Sequence, residues 1–112
     1  MDKLEQYRTY IKQLISDYAN LSSPDPDVET QLIFDTEHDH YQLVYAGWKN
    51  RNRRYGCVLH FDLKKEGKIW IQHDGTEIGF ANEFVKLGVP KEDIVLAFTE
   101  PLVRPYTGFA VN

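Results

Sequence analysis

Between Lys3 and Leu21 the apolar residues Leu4, Tyr7, Ile11, Leu14, Ile15, Tyr18 and Leu21 recur at steps of three and four. That spacing lines one face of an amphipathic helix. Asp2, three residues ahead of Glu5, supplies a capping pair at its start. The run "SSPDPD", Ser22 to Asp27, cannot continue the helix, because its two prolines lack donors and restrict the residues before them.

From Val28 the period falls to two. Val28, Thr30, Leu32 and Phe34 share one side and Glu29, Gln31 and Asp35 the other, with Ile33 the exception. Similar runs at residues 40–48, 55–64 and 68–73, separated by short polar connections, complete an expected four-stranded antiparallel meander. Asp74 and Glu77 then precede Ile78, Ala81, Phe84, Val85 and Leu87, with Gly88 placed to stop a second helix. "VPKEDIVLAF" reads as a turn and a short apolar strand, followed by a carboxy-terminal extension. The expected fold class is α+β: an amino-terminal helix packed on the meander, then the second helix and the extension.

One hairpin fixes which side chains share a face. In "HFDLKKEGKIWIQH" a three-residue loop, Lys65 to Gly67 with Gly67 left-handed, pairs Lys64 with Lys68 and Leu63 with Ile69. Leu59, Phe61, Leu63, Ile69, Ile71 and His73 then occupy one face, and Val58, His60, Asp62, Trp70 and Gln72 the other. With both helices expected over the first face, Trp70 is left to find cover from a second molecule or from the chain's own "RPYTGFAVN". A homo-oligomer through His60, Asp62, Trp70 and Gln72 is one outcome.

Length and charge narrow the classes. The 112 residues fit a single domain spanning positions 1–112, with 42% hydrophobic and 13% aromatic residues. A net charge of -4 repels phosphate, so any nucleic-acid contact needs a local basic patch. The single cysteine, Cys57, offers no disulfide and no zinc-binding pair, and reads as a small core residue of a reduced intracellular chain. "MDKLEQYRTYIKQL" has neither the apolar stretch of a signal peptide nor that of a membrane span, so a cytoplasmic location is expected, with no membrane contact.

Two segments invite chemistry. Asp35 to His40, "DTEHDH", is not an EF-hand loop, because His40 stands where a glycine is required and Ala46 where a carboxylate is. Its polar residues suit a turn between strands, with a transition-metal set of His38, Asp39, His40 and Asp35 as the rival reading. Cys57 and His60, three apart on a strand, fall on opposite faces and cannot act as a nucleophile and base. No phosphate loop, HExxH or GxSxG pattern occurs. No catalytic residues and no cofactor are therefore assigned. The second segment, "WKNRNRRYG", sets Lys49, Arg51, Arg53 and Arg54 between Trp48 and Tyr55, a basic hairpin tip able to meet an acidic partner, phosphate or bases.

"DHYQLVYAGW", "YGCVLHFDLKKEGKIWIQHDGTE", "GVPKEDIVLAF" and "TGFAV", in that order, resemble the XisI-like family, the fdxN-element excision controlling factors of cyanobacteria. The resemblance spans almost the whole chain. It implies an accessory role to a site-specific recombinase that removes a DNA element during heterocyst differentiation, beside a nuclease-like factor, XisH. The family's hairpin is the tighter "KDGK", against "KKEGK" at Lys64 to Lys68, an insertion that a bulged loop absorbs. It supplies no catalytic residues to carry over. The function expected is a non-enzymatic regulatory factor working through protein partners. Two rivals stand beside it: direct nucleic-acid binding by the Lys49 to Arg54 tip, and a small metal-dependent enzyme built on the Asp35 to His40 segment.

Overall fold

The computed structural model describes residues 2–21 and 25–112; of the run 22–27 on which the first helix was expected to break, residues 22–24 lie outside them. Helix α1 (Lys3–Leu21) leads into β1 (Val28–Asp35), β2 (His40–Lys49), β3 (Asn52–Leu63) and β4 (Ile69–Asp74). Helix α2 (Phe80–Lys86), a 3-10 turn (Lys91–Asp93), β5 (Ile94–Leu96) and a second 3-10 turn (Arg104–Tyr106) complete the chain. Among the described residues no helix is long and apolar enough to cross a membrane.

The sheet has five strands in sequential order, not the expected four. The meander β1 to β4 is antiparallel throughout, but β5 joins β4 in parallel, pairing Ile69 with Ile94 and Ile71 with Leu96. A parallel neighbour requires a crossover of a dozen or so residues, and the segment carrying α2 provides it. The short run "IVL" is legible as a strand, but its direction depends on a helix-borne return that no local pattern encodes.

Helix α1 forms where its apolar period places it. The Asp2 carboxylate accepts the Glu5 amide at 2.8 Å, and Tyr7, Ile11 and Ile15 are buried against the sheet. Helix α2 starts later than expected because Asp74 is occupied in a turn. It accepts the amide (2.9 Å) and hydroxyl (2.6 Å) of Thr76 through one oxygen and the amide of Phe80 (2.8 Å) through the other. At the far end Gly88 takes φ +105°, its amide donating to Val85 and that of Val89 to Phe84, which closes the helix as a Schellman motif. The core lies between the two helices and one sheet face, with the Phe61 ring 5.7 Å from Phe80 and 5.3 Å from Phe84. Gly47 permits β1 to start: a Cβ there would stand 2.4 Å from the Asp27 carbonyl oxygen.

The three-residue hairpin is as expected. Lys64 donates to Lys68 at 2.9 Å, Gly67 has φ +88°, and Leu63 faces Ile69. Two bulges interrupt the alternation elsewhere. In β3 the register against β2 shifts beside Val58, and in β4 the register against β3 shifts beside Gln72. Leu59, Phe61, Leu63, Ile69 and Ile71 are buried as the expected face requires. Val58, expected outside, instead packs against the core, because the extra residue turns it over. His60 pairs with His73, which is exposed, so the strict alternation that put His73 with the core does not hold there.

Two carboxylates, the half-buried Asp39 and the buried Asp93, tie α1 to distant segments. Asp39 receives Arg8 through both oxygens (2.8 and 3.1 Å) and the Tyr41 hydroxyl at 2.7 Å. The Arg8 guanidinium holds the Asp39 carboxyl below the usual range. Asp93 receives the Tyr7 hydroxyl at 2.6 Å and the Lys3 ammonium at 2.9 Å. Burial alone would raise its pKa, but those two donors leave it lowered.

Two outcomes follow from this packing. Phe61→Ala removes a fully buried ring and is expected to lower stability by about 3–5 kcal/mol in urea unfolding, whereas Trp48→Ala, 58% exposed, stays within about 0.5 kcal/mol. Because the folded Asp39 binds its proton less readily than the unfolded one, its contribution is complete above the ordinary carboxylate range and disappears as pH falls through the depressed value. Thermal melts of wild type and Asp39→Asn should therefore differ most near neutrality and converge between about pH 5 and pH 2.

Candidate functional site

The outer face of the sheet, away from α1 and α2, gathers polar side chains from three adjacent strands. Its centre is Asp62 on β3, a residue only 7% exposed. Its Oδ1 accepts His40 Nδ1 from β2 at 2.8 Å and His60 Nε2 from its own strand at 2.9 Å, while Oδ2 accepts the Gln72 amide from β4 at 3.1 Å. Burial alone would raise the Asp62 pKa, but the two imidazoles hold the carboxyl below its ordinary value. With His60 donating through Nε2, its Nδ1 is left to accept the Gln42 amide, which lies 3.4 Å away.

Cross-strand pairing puts these groups together. His40 stands directly opposite Asp62, and Gln42 opposite His60. Both pairs depend on the bulge in β3. Counted back from the β2–β3 tip by strict alternation, His40 would face Phe61; the extra residue moves it onto Asp62. The same bulge corrects the reading of Cys57, which is exposed on the outer face instead of buried in the core. Its thiol lies 4.0 Å from the Gln42 amide and 3.2 Å from the Leu59 carbonyl, and partial burial raises its pKa. Cys57 and His60 therefore share a side of the sheet and both neighbour Gln42, although nothing joins them directly.

The expected metal set of the Asp35 to His40 segment is dispersed. Asp35 accepts the amides of Glu37 (3.1 Å) and His38 (2.9 Å) and the His38 ring at 2.9 Å, the arrangement of an Asx turn. Asp39, at φ +60°, is committed to Arg8 and Tyr41. Only His40 turns to the outer face. Among the described residues the one group of three side chains able to hold a metal ion is His40, His60 and Asp62, whose ligand atoms lie within 4.8 Å of one another.

Trp70 is half-buried, and the chain's own extension contributes the cover. The Arg104 guanidinium lies 5.5 Å from the ring centre and the Lys64 ammonium 5.4 Å. Arg104 is held by the carbonyls of Thr99 (2.9 Å), Ala97 (3.2 Å) and Val111 (3.3 Å), while the Ala110 amide donates to Ile94 at 2.9 Å. The indole N–H is buried without a partner among the described residues. The basic tip closes through Asn50 (φ +50°) and Arg51 (φ +70°), a two-residue turn with both residues left-handed. Arg53 lies 5.5 Å from the Trp48 ring and 5.4 Å from that of Tyr55, rings that are 58% and 71% exposed. Lys49 pairs with Asp25 at 2.8 Å, and Arg51 and Arg54 are exposed.

Comparison with known proteins places this geometry. The family model described as XisI protein matches residues 1–111. A XisI-like protein of known structure from Anabaena variabilis is 48% identical, the match covering 97% of this chain and 99% of that one with a TM-score of 0.93. A second, named fdxN element excision controlling factor XisI and also from Anabaena variabilis, is 37% identical over 99% of this chain and 100% of that one, with a TM-score of 0.87. No curated protein matches. A helix-backed sheet of this topology, matched from end to end in sequence and in structure, establishes that the chain belongs to the XisI family.

Proposed function

We propose that this chain is a non-enzymatic regulatory factor in the excision of a DNA element, acting through protein partners. The observation that carries the reading is the similarity, over 99% of this chain, to a protein named as an excision controlling factor. The partner class proposed is a XisH-type nuclease-like protein, working beside a site-specific recombinase. The β2–β3 tip is the docking surface this reading favours. Exposed Trp48 and Tyr55 offer apolar area flanking Arg53, and Arg51 and Arg54 offer charge to an acidic surface.

The turn chemistry supports a use for Arg51. A two-residue hairpin loop with positive φ at both positions favours glycine at the second, and this chain places an arginine there at φ +70°. The second reading, direct nucleic-acid contact, draws on the same rings and cations but works against the net charge of -4.

Arg51→Gly is expected to raise stability by about 1 kcal/mol in chemical denaturation, by relieving the left-handed strain. The same change should weaken a purified XisH-type partner, read by calorimetry. Replacing Arg51, Arg53 and Arg54 together by alanine should weaken that complex at least tenfold. A wild type that binds no such partner, yet binds duplex DNA with an affinity that falls steeply with salt and vanishes in the triple variant, would replace the first reading with the second.

A further inference from the structure

We infer that His40, His60 and Asp62 form a binding site for one divalent transition-metal ion on the outer face of the sheet. The donor set is two imidazole nitrogens and one carboxylate oxygen, a combination suited to Zn²⁺, Fe²⁺, Co²⁺ or Ni²⁺ and not to the all-oxygen shells of Ca²⁺ or Mg²⁺. All three residues sit on β2 and β3, within the stretch where pairing runs unbroken from His40 with Asp62 to Leu43 with Leu59, so the donors converge without help from a mobile loop.

The spacing suits adjacent positions around one ion. Both imidazole nitrogens lie 2.8 and 2.9 Å from Asp62 Oδ1. Ligand atoms around a metal with bonds of about 2.1 Å lie roughly 3.0 Å apart in octahedral and roughly 3.4 Å apart in tetrahedral geometry, and all three donor atoms here lie within 4.8 Å of one another. Small side-chain rotations therefore admit an ion in place of the two N–H protons. His40 is the movable member, its side chain 53% exposed, and it leaves an open approach from solvent, whereas the Asp62 side chain is 10% exposed.

The neighbours complete the case. A metal-bound carboxylate is ordinarily fixed by a hydrogen bond to its other oxygen, and a metal-bound imidazole by one to its other nitrogen. Gln72 already holds Asp62 Oδ2, and the Gln42 amide faces His60 Nδ1. Metal entry requires each neutral imidazole to carry its proton on the opposite nitrogen. His60 Nδ1–H then needs an acceptor, which Gln42 supplies by turning its amide so that Oε1 faces the ring. His40 Nε2–H faces the open side. Proton count is unchanged, so binding needs only a switch of tautomer once the histidines are neutral.

The experiment uses the full chain, purified without a histidine tag and stripped with chelator. Titration with Zn²⁺ by calorimetry should give one ion per chain and a higher melting temperature, and Co²⁺ should develop a visible absorption band on binding. His40→Ala, at an exposed position, and His60→Gln should each lower Zn²⁺ affinity at least tenfold, while His38→Ala, whose ring belongs to the Asp35 turn, should bind as wild type. Circular dichroism of each variant reports folding independently of metal. Absence of stoichiometric uptake by wild type, undiminished affinity in both His40→Ala and His60→Gln, or equal loss in His38→Ala overturns the assignment.

Discussion

The register of β3 governs the rest of the molecule. As a central strand, bonded to β2 on one side and β4 on the other, it sends Leu59, Phe61 and Leu63 into the core and His60 and Asp62 to the opposite face. Because the side-chain period of a strand is two, a slip of one residue would put a carboxylate under the helices and the phenylalanine in water. Core and outer face are thus two consequences of one alignment. The alignment is pinned at one end by the Lys65 to Gly67 loop and at the other by the Asn50–Arg51 turn, with a bulge reconciling the two.

Three carboxylates, withdrawn wholly or partly from solvent, secure this arrangement from three directions. Asp39 fastens α1 to the start of β2, Asp93 fastens it to the approach to β5, and Asp62 joins β2, β3 and β4 across the outer face. Asp62 and Asp93 are buried and Asp39 half-buried, and each has at least two donors, the condition under which a buried charge is tolerated. All three have lowered pKa values, so all three favour the folded chain above the ordinary carboxylate range and weaken it in acid.

Much of the fold is legible in the sequence where one local rule suffices. Helix α1 follows from its apolar period and the Asp2 cap, β1 from its alternation, and the Lys65 to Gly67 loop from one glycine in a left-handed position. What escapes is non-local. The bulges at Val58 and Gln72 leave no signature, since each residue is an ordinary strand former or polar strand residue, yet they decide that Cys57 is outside, Val58 inside, and His40 beside Asp62. The parallel pairing of β5 depends on where α2 returns the chain, and α2 is shortened because Asp74 serves the turn before it. The face carrying His60, Asp62, Trp70 and Gln72 could be read from the hairpin register; that His40 completes it could not, because it requires counting across a bulge.

Asp62 lies on the outer face with two imidazole N–H groups directed at one of its oxygens, and the tautomers of those histidines test that placement most directly. Long-range proton–nitrogen correlation spectra of the ¹⁵N-labelled, chelator-stripped chain, recorded above the histidine titration range, identify which ring nitrogen carries the proton in each residue. The register described here requires His40 to be protonated at Nδ1 and His60 at Nε2. His40 protonated at Nε2, or His60 at Nδ1, would contradict the convergence on Asp62 and with it the alignment of β2 on β3.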